Sequence, residues 1–106
     1  MIVRGAIYEI RAMPSAKGHE QQGRRLAVVI ESDRFATSTV TVAMTSARAG
    51  AAVYRPEIEV DGVRTLVLTD QIFSVDPGRL GEFRGRLDAG ELADLDRALM
   101  LKLGLI

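Results

Sequence analysis

Helical periodicity occurs once in this chain, at its end, and that confines everything before it to strands and turns. Asp88 is a capping residue, Glu91 follows three positions on to complete a capping box, and Leu92, Leu95, Leu99 and Leu103 recur at helical spacing before Gly104 supplies a stop. Glu91, Asp94 and Asp96 lie in the N-terminal half and Lys102 near the end, as the helix dipole prefers.

Upstream, residues 5–11 alternate, with Ala6, Tyr8 and Ile10 on one side and Ile7, Glu9 and Arg11 on the other, which predicts a strand with one core face. The apolar run from Leu26 to Ile30 predicts a second strand, buried on both faces. The β-branched stretch from Thr37 to Met44 predicts a third, ending at Thr45-Ser46. Residues 54–60 alternate again, but Pro56 denies the ladder a donor, so this segment is an edge strand or begins one. Asp61-Gly62 tolerates positive φ and reads as a hairpin turn, with residues 64–69 returning. For residues 70–75 a short helical turn and a further strand are both open. Asp76-Pro77-Gly78 is a turn, and residues 80–87 alternate loosely as a last strand. The expected fold is mainly β, in the α+β class: a small, strongly bent sheet or barrel closed by one terminal helix. At 106 residues, the chain is a single domain spanning 1–106.

With 47% hydrophobic and 26% charged residues, the composition is that of a soluble globular protein. There is no cysteine, so disulfide frameworks and zinc-thiolate sites are excluded and a cytoplasmic setting is expected. Arg4, Glu9 and Arg11 interrupt the N-terminal apolar residues, and no later run approaches bilayer length, so no membrane association is expected. The net charge of zero argues against a large basic surface. The balance is uneven, however. Residues 1–50 hold Arg4, Arg11, Lys17, Arg24, Arg25, Arg34 and Arg48 against Glu9, Glu20, Glu31 and Asp33, an excess of three positive charges; residues 51–106 carry the opposite excess. Folding either gathers the first set into a local basic groove or interleaves the two sets.

A long loop opens at Met13-Pro14 and continues through Lys17-Gly18-His19-Glu20-Gln21-Gln22-Gly23-Arg24-Arg25 into the second strand. Loops longer than about a dozen residues are uncommon in compact domains and usually functional. A carboxylate, the only histidine and two adjacent arginines meet here beside a rigid element, which is what chemistry on a phosphate needs: donors in place before the oxyanion develops. A solvated, merely charged loop is the other reading of the same residues. One His and no Cys exclude the usual transition-metal sets. Glu57, Glu59 and Asp61 share a strand region but suit a solvated edge better than a cation site. There is no Gly-rich phosphate loop ending in Lys-Ser or Lys-Thr, and no nucleophile signature to make His19 the base of a triad.

Arg4-Gly5 with Ile7-Tyr8, Gly18-x-Glu20-Gln21-x-Gly23-x-Arg25, Val28-Val29, Thr45-Ser46, Asp70-Gln71-Ile72 and Val75-Asp76-x-x-Arg79-Leu80-Gly81 stand in the order and at the spacings of the MazF/PemK family. The chain resembles that family, the toxins of type II toxin-antitoxin systems, from Arg4 to the Leu-rich helix. The resemblance implies an SH3-like small β-barrel of the MazF/CcdB type with a C-terminal helix, and a homodimer. It implies cleavage of single-stranded RNA at short sequences with neither cofactor nor metal, and inhibition by a cognate antitoxin protein. Carried onto this sequence, Arg25 matches the family's catalytic arginine, Thr45 its catalytic threonine and Glu20 the acidic residue of the loop. Lys17, Gly18, His19, Gln21, Arg24 and Ser46 fall where RNA contacts are then expected.

The chain departs from the family's usual pattern at His19, commonly Ser, at Leu26, commonly Pro, and at Phe73, often basic. His19 is a bystander on the loop or a part of the acid-base apparatus near neutral pH. Leu26 relaxes φ beside Arg25. Phe73 is either a structural ring or a base-stacking face. Two other functions fit a chain of this pattern: a CcdB-like topoisomerase poison, which acts by binding through its C-terminal end, and a catalytically degenerate member that only binds antitoxin or RNA.

Overall fold

The computed structural model describes residues 2–11 and 24–106, with the backbone alone at Arg24. Among these residues six strands follow in order, β1 (Ala6–Arg11), β2 (Arg24–Val29), β3 (Val40–Ser46), β4 (Glu57–Val60), β5 (Val63–Val75) and β6 (Leu80–Arg86), and then one α-helix, α1 (Ala89–Lys102). The strands form one antiparallel sheet in the order β4-β5-β3-β2-β1-β6. No ladder joins the outer strands β4 and β6, so the expected barrel is a curled half-barrel.

Both faces of the sheet are apolar, and this is why it curls. Alternate residues of β2, β3 and β5 sort into two cores. Ala27, Val29, Val42, Met44, Leu66 and Leu68 belong to a core made by the strands alone, and Val28, Ala43 and Val67 to one that α1 covers with Leu95 and Leu99. A face with no helix over it stays dry only if the sheet bends round it. The expectation of two-sided burial for β2 therefore holds, and it extends further than expected. β1 was expected to have a single core face, yet Ile7, on its other side, is 2% exposed beneath the helix.

Several boundaries differ from the sequence reading for local reasons. β3 begins at Val40, because the Thr37 hydroxyl donates to the Thr39 carbonyl at 2.8 Å and so competes with the ladder. β4 begins only after Pro56, as an edge strand. Asp61 at φ 52° and Gly62 at φ 79° make the expected hairpin turn. The undecided segment 70–75 is strand, continuing β5 to 13 residues. Between Ala43↔Ile72 and Met44↔Leu68 the register jumps, so that Thr69, Asp70 and Gln71 have no counterpart on β3. Asp70 takes a bidentate grip from Arg55, whose Nε and Nη2 donate at 3.1 and 2.7 Å, and the Thr69 hydroxyl donates to the Tyr54 carbonyl.

The helix is capped as its sequence predicts. Asp88 Oδ1 accepts from the Glu91 N–H at 2.7 Å, and Glu91 Oε1 accepts from the Asp88 N–H at 3.0 Å. The other oxygen of Glu91 accepts from the Glu59 N–H at 2.9 Å, covering a donor on the edge strand. Leu95, Ala98 and Leu99 are buried. Leu103, expected on the same stripe, caps the helix beyond the sheet and is 55% exposed.

Candidate functional site

The ladder between β2 and β3 runs from Val29↔Val42 to Ala27↔Met44. Beyond it, a side chain takes over: Thr45 Oγ1 donates to the Leu26 carbonyl at 2.9 Å. Thr45 is 3% exposed and Arg25 is exposed, so a buried hydroxyl anchors the strand from which the guanidinium projects. Leu26 is half-buried against the helix-covered core, which gives the residue after Arg25 a packing role. Ser46 Oγ accepts from the N–H groups of Arg48 and Ala49, at 3.1 and 3.0 Å, and folds the following turn back on the strand.

These residues border a cleft of about 510 Å³. Its lining passes from Arg25 and Leu26 on β2 through Thr45, Ser46 and Arg48 to the β4–β5 hairpin, which supplies Val60, Asp61, Val63 and Thr65. Arg84 of β6 completes it from the opposite edge of the sheet. Arg84 Nη1 donates to Glu9 at 3.0 Å and Nη2 pairs with Asp61; these contacts, Asp61 foremost, raise the Arg84 guanidinium above its ordinary pKa.

Among the described lining residues three are cations and one is an acid, so this part of the cleft is locally positive in a chain of zero net charge. Arg25 and Arg48 come from the basic first half of the sequence, while Arg4 of that half is interleaved with the acidic second half through Asp96, 2.6 Å away. With Arg84 and Asp61 of the second half in the same cleft, the described residues follow the interleaved reading. Arginine forks beside hydroxyls, with apolar surface from the exposed Val63, suit a ligand that carries phosphates and flat bases.

Of the candidate residues, Arg25, Thr45 and Ser46 come together in the cleft. Arg24 opens β2, and its side chain is outside the description. Lys17, Gly18, His19, Glu20 and Gln21 lie outside the described residues. Phe73 is half-buried and packs against the strand-only core. Arg48, Thr65 and Arg84 are not singled out from sequence as site residues, and Asp61 is read there as a turn and edge residue. For Arg48 the nearby Thr45-Ser46 pair was a usable signal, whereas Asp61 and Arg84 meet only because the sheet curls. Glu57 and Asp61 are paired with Arg64 and Arg84, and no group of three or more His, Asp or Glu among the described residues forms a cation site. No helix among the described residues is long and apolar enough to cross a membrane.

Residues 3–103 match the family model described as the PemK-like, MazF-like toxin of type II toxin-antitoxin systems. A Mycobacterium tuberculosis protein named as a candidate toxin is 42% identical over 106 residues, covering 99% of this chain and all of that protein. The endoribonuclease MazF9 of the same organism is 36% identical over 118 residues, covering 99% and 98% of the two chains. Among solved structures, MazF from Deinococcus radiodurans superposes with a TM-score of 0.81 at 28% identity, over 97% of this chain and 96% of that one. The MazE-MazF complex from the same organism gives a TM-score of 0.77 at 27% identity, over 99% and 97%.

Proposed function

The chain belongs to the PemK-like, MazF-like toxins of type II toxin-antitoxin systems, and from that membership we propose that it is an endoribonuclease that cuts single-stranded RNA at short sequences. Its relative MazF9 is named an endoribonuclease, and the Deinococcus MazF is solved with MazE, so this reading includes a cognate antitoxin as inhibitor. A homodimer working in the cytoplasm without metal completes the proposal. The observation that carries it is the meeting of Arg25 and Thr45 at one cleft with an excess of arginine.

In the proposed reaction an RNA 2′-oxygen attacks the adjacent phosphorus and the bond to the 5′-oxygen breaks. A 2′,3′-cyclic phosphate and a 5′-hydroxyl result. Glu20 accepts the 2′-hydroxyl proton, or holds Arg25 in place while water accepts it, and the leaving 5′-oxygen takes a proton from water. Arg25, permanently charged and forked, faces the non-bridging oxygens as charge builds on them. Thr45 has two tasks: its hydroxyl tethers Leu26 in the free protein, and it exchanges that partner for a non-bridging oxygen when RNA binds. Lys17, Gly18, His19, Gln21, Arg24 and Ser46 contact the bound strand. The reading as a CcdB-like poison acting through its C-terminal end gives the cleft arginine and threonine no task.

The test is cleavage of a long single-stranded RNA in EDTA by wild-type protein and Arg25→Ala, with new ends mapped by primer extension. Cuts at one short motif that fall by about 10² to 10³ in the variant are expected. No cuts by folded wild-type protein across several RNAs would move the assignment to a binding protein.

A further inference from the structure

Arg84 is aimed by a backbone irregularity. Along the β1–β6 ladder Ile7 faces Gly85 and Tyr8 faces Phe83, so β6 advances two residues where β1 advances one, and Arg84 is the extra residue of a bulge. Gly85 takes φ 133°, a conformation that side-chain-bearing residues rarely adopt, and Phe83 is locked edge-on against Tyr8. Bulges of this kind re-aim a side chain. Here the guanidinium forks between Glu9 on the neighbouring strand and Asp61 at the tip of the β4–β5 hairpin. It thereby crosses the gap between the two outer strands that no ladder spans.

The hairpin it reaches is anchored by its ladder and by buried Ile58 and Val60, and its exposed turn is the part left to Arg84. β4 is a four-residue edge strand, held at its flank by the Glu91 carboxylate on the Glu59 N–H, and its turn stands out at Asp61. Val60, Val63 and Thr65, which this hairpin carries, form one wall of the cleft. With two carboxylates on one guanidinium, Arg84 is not an open phosphate site in the manner of a lone cation; its charge is used in holding the wall.

We propose that the Arg84–Asp61 pair is a latch that fixes the β4–β5 hairpin as the wall against which the bases beside the scissile phosphate are read, and so sets how narrowly the RNA sequence is selected. This rests on the endoribonuclease reading above. Arg84 and Asp61 are positioning residues here, acting on bases through the exposed Val63, with Val60 and Thr65 buried behind it. A wall held in one place discriminates between bases by shape and lost contacts, and a wall free to move accepts more of them.

The experiment uses Asp61→Asn and Asp61→Gly, because Asn and Gly both keep the left-handed turn while removing the carboxylate. Amide hydrogen exchange over residues 57–66 and the cut-site profile on a randomised single-stranded RNA pool are measured for each variant and the wild type. Exchange of the hairpin amides is expected to rise about two- to fivefold, the range of an exposed ion pair, and cutting at the preferred motif relative to near-matches to fall by a similar factor. Unchanged exchange in both variants overturns the latch. Faster exchange with an unchanged cut-site profile makes the pair merely structural and overturns its role in selection. No cutting by the wild type overturns the nuclease reading and this inference with it, an outcome distinguishable from the other two.

Discussion

The Thr45 hydroxyl serves a backbone carbonyl and, in the proposed reaction, a phosphate oxygen, and substitution separates the two tasks. Thr45→Val keeps the β-branched shape and leaves the Leu26 carbonyl without its donor, a loss of about 1 kcal/mol. Cleavage is expected to fall about 100-fold in this variant and to recover largely in Thr45→Ser, which keeps the hydroxyl. A rate loss no greater than the loss of folded protein, followed by denaturant unfolding alongside initial rates, would reduce Thr45 to its tether. At this scale the sequence was informative wherever a residue's task is local. Arg25 and Thr45-Ser46 stand in recognisable motifs beside strands, and Asp88 with Glu91 announces a cap. Asp61 and Arg84 carry no such mark, since 23 positions separate them and only curvature brings them together.

Among the elements, β5 departs furthest from expectation. Its hairpin end was legible in Asp61-Gly62, but nothing local reveals that Thr69, Asp70 and Gln71 leave the ladder. That displacement is stabilised by Arg55, which also donates to the Gly50 carbonyl at 3.0 Å and lies over the Tyr54 ring. The hydrogen bond from Arg55 holds the Asp70 carboxyl below its ordinary pKa, against the opposing effect of burial. The group therefore contributes stability that is complete above its unfolded value, about 3.9, and is lost as pH falls through the lower folded value. Asp70→Asn should cost about 1.5–3 kcal/mol at neutral pH and flatten the loss of stability below pH 4. Urea unfolding of both proteins from pH 7 to pH 2.5 measures this, and parallel curves would remove Asp70 from the acid response. The same logic explains the late start of β3 after Thr37 and the exposure of Leu103. A threonine side chain took a backbone partner in one case, and in the other the helix stripe ran past the sheet it covers.

For the whole molecule, the class was legible because hydrophobic periodicity changes from strand to helix only once, whereas closure was not. Whether a six-stranded sheet completes a barrel or stops half-way depends on contacts between its edges, and alternation within a strand says nothing about them. The order β4-β5-β3-β2-β1-β6 places the first strand between the second and the last. Ile7 is covered by the core that includes Leu95 and Leu99, and the outer neighbour of β1 is β6. A chain ending at residue 79 would keep Arg25 and Thr45 but leave β1 with a bare edge and Ile7 in water. We expect circular dichroism to find it unfolded; a cooperative thermal transition in that fragment would contradict this. The consequence concerns synthesis. A chain released before β6 and α1 are made has β1 paired on one side only and lacks Leu95 and Leu99, the residues that shield Ile7, so in the full chain the newest end protects the oldest.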